Sequence, residues 1–246
     1  MNAKEKKKEQ KPRSEDSDAG TADLIRELGL AAPGTDFESD LQYISIIGSI
    51  EGHIELPVQN KTTKYEHLIP QLIAVEENPK LKGLLVLLNT MGGDVEAGLA
   101  LAEMITTLSK PTVSLVLGGG HSIGIPLATA TDYSFIAGTA TMTLHPIRTT
   151  GLVITAETTF DYMRKTQDRV IDFIAGHSRA TRKRVTELMN CSDNMSNDVG
   201  TILFGKEAVD AGIIDAVGGV SQALGELRRR VAKVDELEKE ISISTD

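Results

Sequence analysis

The apolar and polar positions of this chain alternate between two periods, one typical of strands and one typical of helices. Short apolar runs occupy Ile44 to Ile50, Leu84 to Leu88 and Val113 to Leu117. Between them, apolar residues recur at helical spacing from Lys64 to Glu77 and from Val95 to Leu108. Continuous apolar strands that alternate with helices are typical of a parallel sheet covered on both faces. The pattern therefore predicts an α/β fold.

A longer amphipathic helix is predicted between Thr155 and His177. Its apolar side chains recur at helical spacing, with charged residues between them. The stripe consists of Phe160, Met163, Val170, Phe173 and Ile174. An apolar stripe of this length has to be covered, either by the core of its own chain or by another subunit. We favour a subunit interface and keep the intrachain core as the alternative.

The two ends of the chain differ in composition from its centre. Within residues 1–40, basic residues outnumber acidic ones from Met1 to Arg13, and residues 14–21 continue the polar composition. This composition predicts a disordered, charged tail. Residues 41–220 are expected to form one folded domain, and residues 221–246 a helical tail that docks outside the core. The 246 residues, 40% of them hydrophobic, are enough for one sizeable core.

Composition excludes several classes of function. The net charge of −9 offers no broad attraction for nucleic acid. The single cysteine, Cys191, excludes an intramolecular disulfide and a zinc-type ligand cluster, so we expect no metal and no cofactor. The sequence lacks both an apolar run of the roughly 20 residues that span a bilayer and an apolar signal core near its start. We therefore expect a cytoplasmic protein.

One glycine-rich segment carries the candidate chemistry. Residues 118–124 read Gly-Gly-Gly-His-Ser-Ile-Gly and directly follow an apolar strand. Glycines permit a sharp strand-to-helix turn, which can present the Ser122 hydroxyl and leave backbone N–H groups open to a reacting carbonyl. A phosphate-binding loop would need a lysine followed by serine or threonine after its last glycine, and none follows Gly124. For this segment alone, two interpretations stay open: a turn whose glycines only allow close packing, and a turn that presents a nucleophilic serine.

A serine hydroxyl needs a base to remove its proton, and two histidines are candidates. His145 ends a Thr/Met/Leu run that we expect to be buried, which makes it the preferred base. His121 adjoins the serine, but neighbouring side chains in a turn usually point apart, so it is the rival. A second glycine turn, from Asn89 to Gly93, could supply an N–H group to a developing oxyanion.

Several ordered motifs carry a resemblance to a known family. They are "VEENPKLKGLLVLLNTMGGDVEAGLALAEMI", "SLVLGGGHSIGIPLATA", "MTLHP" and "LFGKEAVDAGIIDAVGG". Over roughly residues 43–220 the chain resembles the proteolytic subunit of the Clp protease, and within that family it is most similar to a divergent branch of translocation-enhancing proteins. The resemblance implies a ClpP/crotonase-like α/β spiral of ββα units, with a parallel sheet and a long handle helix.

The resemblance also implies roles for individual residues. Ser122 becomes the nucleophile and His145 the general base, and the N–H groups of Gly93 and Ile123 form the oxyanion hole. The family's third catalytic residue is an aspartate just before "LFGKEAVDAGIID", but a gapless match places Gly200 at that position. Among the nearby acids, Asp198 is our prediction for the third catalytic residue, and Asp193 lies farther upstream.

The function implied by the resemblance is a serine endopeptidase that cleaves unfolded or small polypeptides. The handle helix implies a homo-oligomer of heptameric rings, stacked face to face, with an ATPase unfoldase or the secretion machinery as partner. Two alternatives stay open. One is a catalytically weak protein that assists preprotein translocation. The other is a crotonase-type acyl-thioester enzyme, which would use carboxylates in place of a serine and a histidine.

Overall fold

The computed structural model describes residues 39–148, 155–192 and 199–244. Its strands are β1 (Leu41–Glu51), β2 (Thr62–Lys64), β3 (Gly83–Gly93), β4 (Thr112–Gly120), β5 (Tyr133–Ile136), β6 (Thr141–Leu144), β7 (Thr201–Phe204) and β8 (Ala216–Val217). Its helices are α1 (Tyr65–Glu77), α2 (Val95–Thr106), α3 (Gly124–Thr129), α4 (Ala156–Gly176), α5 (Arg182–Met189), α6 (Gly205–Asp210) and α7 (Val220–Ser244).

The strands form one mostly parallel sheet. Within the described ranges its order is β2-β1-β3-β4-β5-β8, and each neighbouring pair is parallel. The strand β6 pairs with the end of β4, through Gly119 and Thr141, and carries β7 antiparallel on its far side. This arrangement brings the carboxyl ends of β3, β4 and β6 to one edge, where open α/β sheets usually place their ligands. The α/β prediction is confirmed.

Alternate residues of the central strands face opposite sides of the sheet, and both sides are buried. On one side, Leu84, Val86 and Leu88 of β3 belong to a large apolar cluster with residues of α1, α2 and α3. On the other side, Leu85 of β3 belongs to a second, smaller cluster. Burial on both faces explains why the sequence of this strand is an uninterrupted apolar run.

Helix α7 covers the second face of the sheet. Its buried side chains are Ala223, Leu227 and Val231, which pack with Leu115 and Phe135 of the sheet. The sequence correctly predicts a helix here, but its expected place outside the core is wrong for the first half of α7. The reason is that the second half of the run is polar. When the pattern of the whole run is considered, these polar residues mask the apolar stripe of the first half.

Helix α4 has two halves of different character. The second half is packed into the chain's own core, with Val170, Ile171, Phe173 and Ile174 buried. In the first half, Phe160 is 67% exposed and Tyr162 is 62% exposed. The chain's own core therefore covers the second half of the stripe, whereas the first half lies on the surface of the subunit. Among the described helices, none is long and apolar enough to cross a membrane.

Candidate active site

The candidate nucleophile lies in the turn that follows β4. Ser122 has φ +56° and is the one non-glycine residue with positive φ in the described part of the chain. Hydrogen bonds hold the turn on both sides: His121 N–H donates to Thr90 O at 3.1 Å, and Ser122 N–H donates to Thr143 O at 2.8 Å. A left-handed conformation is costly for a residue with a side chain, and it persists here because the neighbouring strands fix the backbone.

Helix α3 begins at Gly124, two residues after this serine. Gly124 N–H donates to His121 O at 2.9 Å, and Ile125 N–H donates to Ser122 O at 3.0 Å. The N–H of the intervening residue, Ile123, has no acceptor among the described residues. A strand-to-helix turn of this kind exposes the nucleophile and leaves the N–H group of the next residue open.

The glycine pair at the end of β3 packs directly against the serine. A Cβ atom added at Gly92 (φ +90°) would lie 2.8 Å from Ser122 Cβ. A Cβ atom added at Gly93 (φ +154°) would lie 2.2 Å from Ile50 O. Both positions therefore require glycine, for space and for backbone conformation. The sequence predicts a turn here, but the structure keeps the pair inside β3, since Ile50 still pairs with Gly93.

The backbone at Gly93 is held by the sheet pairing. Ile50 pairs with Gly93, and Asp94 N–H donates to Ile50 O at 3.0 Å. Because Gly92 packs against Ser122, the Gly92–Gly93 segment and Ile123 flank the serine from two segments. The role of the Gly93 and Ile123 N–H groups as an oxyanion hole stays a prediction.

The candidate base, His145, directly follows β6. Its Nδ1 atom lies 2.7 Å from Pro146 O. A carbonyl oxygen can only accept, so Nδ1 carries the proton and donates it. In the neutral ring, Nε2 then keeps its lone pair, which is the form that a general base needs.

Ser122 and His145 line the same small cavity. The rest of its described lining is apolar: Val95, Ile123, Ile125, Leu144, Ile147, Val170 and Met189. Carboxylates are absent from this part of the lining. The structure therefore places the predicted nucleophile and the predicted base on one cavity. Among the described contacts no hydrogen bond joins their side chains, so a proton transfer between them needs a closer approach than this structure has.

The rival base lies elsewhere. His121 Nδ1 is 2.8 Å from Thr143 Oγ1, and the side chain is absent from the cavity lining. Burial lowers the pKa of His121, and the nearby His145 lowers it further. A pKa below the ordinary value keeps His121 neutral at neutral pH. The geometry thus favours His145 over His121 as the base.

The position of the family's acid is occupied by a glycine that touches the histidine. A Cβ atom added at Gly200 (φ +141°) would lie 2.3 Å from Leu144 O and 3.0 Å from His145 Cβ. The structure thus places Gly200 beside His145. Asp198 and Asp193 lie outside the described residues, so Asp198 stays a prediction. The described residues contain no group of three or more His, Cys, Asp or Glu that could hold a metal ion.

One contact at the site is missed by the sequence argument. Ile147 N–H donates to the Oε1 atom of Gln167 at 3.2 Å, which ties the segment after His145 to helix α4. Neither this bond nor the one between His145 and Pro146 has a sequence signature. Both join a side chain to the backbone, and almost any residue supplies the backbone partner.

Fold and site together define a class: an α/β protein with a serine and a histidine on one cavity, the pairing used by enzymes that form acyl intermediates. The Clp protease family profile matches residues 39–221, and the chain belongs to this family. It is 52% identical over 222 residues to translocation-enhancing protein TepA of Halalkalibacterium halodurans, covering 90% of this chain and 87% of that protein.

Two more distant comparisons agree with the family. The chain is 25% identical over 162 residues to the ATP-dependent Clp protease proteolytic subunit of Streptococcus uberis, covering 61% of this chain and 76% of that protein. A solved structure of a ClpP1 mutant from Listeria monocytogenes superposes with a TM-score of 0.60 at 19% identity, covering 74% of this chain and 94% of that one. The last comparison establishes the ClpP-like fold.

Proposed function

We propose that this protein is a cytoplasmic Clp-type serine endopeptidase that hydrolyses peptide bonds of unfolded or small polypeptides. One observation carries the proposal: Ser122, held at φ +56°, lines one cavity with His145. Ordinary surface serines adopt neither a left-handed backbone nor a place beside a histidine with an available Nε2. The family membership and the resemblance to a proteolytic subunit add support.

In the proposed reaction, Ser122 Oγ attacks the carbonyl carbon of the scissile peptide bond while His145 Nε2 takes the hydroxyl proton. The Gly93 and Ile123 N–H groups donate to the oxygen that becomes negative in the tetrahedral intermediate. His145 then gives the proton to the departing amine, and an acyl-enzyme remains. Water, deprotonated by the same nitrogen, releases the acyl group and restores the serine. Asp198 is proposed to support the positively charged imidazole.

The proposed assembly indicates the type of substrate. We propose that the subunits assemble into heptameric rings that stack face to face, which would admit only unfolded or short chains. A folded substrate would then need an ATPase unfoldase or the secretion machinery as a partner.

A second function is favoured by two specific observations. The acid position beside His145 holds Gly200, and the 52% identical relative is named for enhancing translocation. A catalytically weak protein that binds exported polypeptides would fit both. The crotonase alternative has less support, because the described cavity lining supplies a serine and a histidine and no carboxylate.

The serine assignment is tested with a fluorophosphonate probe, which reacts covalently with activated serines. We expect the wild-type protein to be labelled and Ser122→Ala to lose labelling completely while keeping its circular dichroism spectrum. Ser109→Ala, which changes an exposed serine on the same domain, should label like wild type. Equal labelling of wild type and Ser122→Ala would contradict the assignment. A wild-type protein that neither reacts nor cleaves unfolded peptides would favour the translocation function.

A further inference from the structure

The peptide group between Pro146 and Ile147 is engaged at both of its polar ends. Its carbonyl oxygen accepts from His145 Nδ1 at 2.7 Å. Its N–H donates to Gln167 Oε1 at 3.2 Å. A continuous series of hydrogen bonds thus runs from an amide side chain on α4, through one backbone peptide, to the imidazole of the candidate base.

We infer that Gln167 is a positioning residue for His145 and acts on the imidazole through this peptide group. The inference rests on the proposed function, because it gives His145 the role of general base. Gln167 itself touches neither the serine nor the cavity described above. Its contribution is to hold the peptide plane, and thereby the carbonyl that selects the tautomer of His145.

The physical reason is the rigidity of the peptide group. Its atoms lie in one plane, so a hydrogen bond that fixes the N–H direction also fixes the opposite direction of the C=O. The carbonyl in turn keeps the proton on Nδ1 and leaves Nε2 to face a hydroxyl. Hydrogen bonds in series polarise one another, so the bond to Gln167 also strengthens the carbonyl as an acceptor.

This arrangement supplies part of what an aspartate supplies in a catalytic triad. An aspartate orients the imidazole, selects its tautomer and stabilises its positive charge. A carbonyl oxygen performs the first two tasks and is a weaker partner for the charge. With Gly200 at the position of the family's acid, the carbonyl of Pro146 is the described acceptor for Nδ1.

The packing of α4 holds the backbone of Gln167 in place. Its neighbour Thr166 is buried, and Val170, one turn farther, is buried and lines the cavity beside Ile147. The charged neighbours on the helix are engaged elsewhere: Asp168 pairs with Arg182 at 2.5 Å, and Arg169 pairs with Glu96 at 2.6 Å. The oxygen of Gln167 is therefore held by a part of the helix that belongs to the core.

The test uses two substitutions at one position and a matched control on the same helix. Gln167→Met keeps the length of the side chain and removes the acceptor, whereas Gln167→Glu keeps an acceptor oxygen. The control, Lys165→Met, changes an exposed side chain of similar length on α4. The readouts are the pH profile of fluorophosphonate labelling and the nitrogen chemical shifts of His145, which report its tautomer.

We expect Gln167→Met to label about tenfold or more slowly than wild type at neutral pH, since a small misplacement of a reacting group costs a large factor in rate. His145 should then show a mixture of tautomers. Gln167→Glu should retain the Nδ1–H tautomer and most of the labelling rate, and Lys165→Met should match wild type. A merely structural role for Gln167 would lower thermal stability without changing the tautomer.

The inference is overturned if Gln167→Met keeps the Nδ1–H tautomer and labels within twofold of wild type. Should Gln167→Met fail to fold, Gln167→Glu decides, because loss of the Nδ1–H tautomer there contradicts the inference and its retention supports it. The nitrogen shifts do not depend on activity. A wild-type protein that shows the Nδ1–H tautomer but no labelling would therefore refute the proposed function and leave the positioning role supported.

Discussion

At the scale of single residues, the glycines around Ser122 serve the site in two ways. Gly92 provides space for the serine, since a Cβ atom there would come within 2.8 Å of Ser122 Cβ and 2.9 Å of His121 O. Gly92 and Gly93 also adopt φ angles of +90° and +154°, which side chains disfavour. The position of Ser122 therefore depends on residues that have no side-chain chemistry of their own.

This dependence predicts the effect of one added methyl group. Gly92→Ala should shift the Ser122 turn, reduce fluorophosphonate labelling at least tenfold and destabilise the fold by about 1–3 kcal/mol, because it combines a clash with a disfavoured backbone. Labelling kinetics and urea unfolding measure the two effects. Gly138→Ala is the control, since an added Cβ there meets nothing within 4 Å. Normal labelling of Gly92→Ala would show that the turn is not constrained as described.

The half-buried imidazole of His121 predicts a dependence of stability on pH. Burial and the nearby His145 lower its pKa from 6.5 in the folded protein. As the pH falls below 6.5, the unfolded chain binds the proton first, so the stabilisation present above 6.5 is lost toward the lowered folded pKa. Urea unfolding between pH 8 and pH 5 should therefore show a steeper loss of stability in wild type than in His121→Asn. Parallel curves would contradict a lowered pKa at His121.

The sequence singles out the candidate nucleophile and the candidate base, but not the residues that contact them. Ser122 and His145 stand out because glycines and buried apolar runs surround them. Gln167 does not stand out, because an amide on an amphipathic helix is ordinary, and only the three-dimensional structure brings it to the peptide after Pro146. Backbone partners have no residue-specific pattern from which they could be predicted.

At the scale of secondary structure, the pattern predicts most elements but shortens the strands at the site. The apolar pattern predicts that β3 ends at Leu88. In the structure the strand continues to Gly93, because its backbone still pairs with β1. Similarly, β4 continues through the glycines to Gly120. Strands are defined by backbone hydrogen bonds, and glycine can extend them without contributing to the apolar pattern that reveals them.

The same substitution, phenylalanine to alanine, should have effects of very different size in the two halves of α4. Phe173 is 6% exposed and Phe160 is 67% exposed on this one helix. We expect Phe173→Ala to lower the free energy of unfolding by about 3–5 kcal/mol, because it leaves a cavity in the core. Phe160→Ala should change the stability of the dissociated subunit by less than about 0.5 kcal/mol. Urea unfolding at low protein concentration measures both, and equal effects would contradict the division of the helix.

At the scale of the whole molecule, the sequence predicts the fold class and the family but not how the second face of the sheet is covered. Helix α7 covers it with Ala223, Leu227 and Val231, while its later residues carry exposed Leu237 and Ile241. The local pattern of a helix indicates which face is apolar. It does not indicate which of several apolar surfaces in the molecule that face will meet, because this depends on the three-dimensional path of the chain.

The exposed half of α4 leads to a prediction about assembly. If Phe160 and Met163 are covered by another subunit, light scattering should give a mass several times the monomer's 26.5 kDa. Changing both residues to glutamate should then split the particle, since burying charges without partners costs several kcal/mol. The matched control changes both to leucine, which keeps the surface apolar and should preserve the mass. A wild-type protein that remains monomeric at all concentrations would refute assembly through α4.

Gly200 has an evolutionary consequence. Glycine and aspartate codons differ by a single base, so the acid expected from the family pattern is genetically close at this position. The folded backbone nevertheless blocks that step, because φ is +141° and an added Cβ would lie 2.3 Å from Leu144 O. A carboxylate could occupy this position only if the path of the turn changed. A single base change in the gene and a tolerated change in the protein are therefore two different things at Gly200.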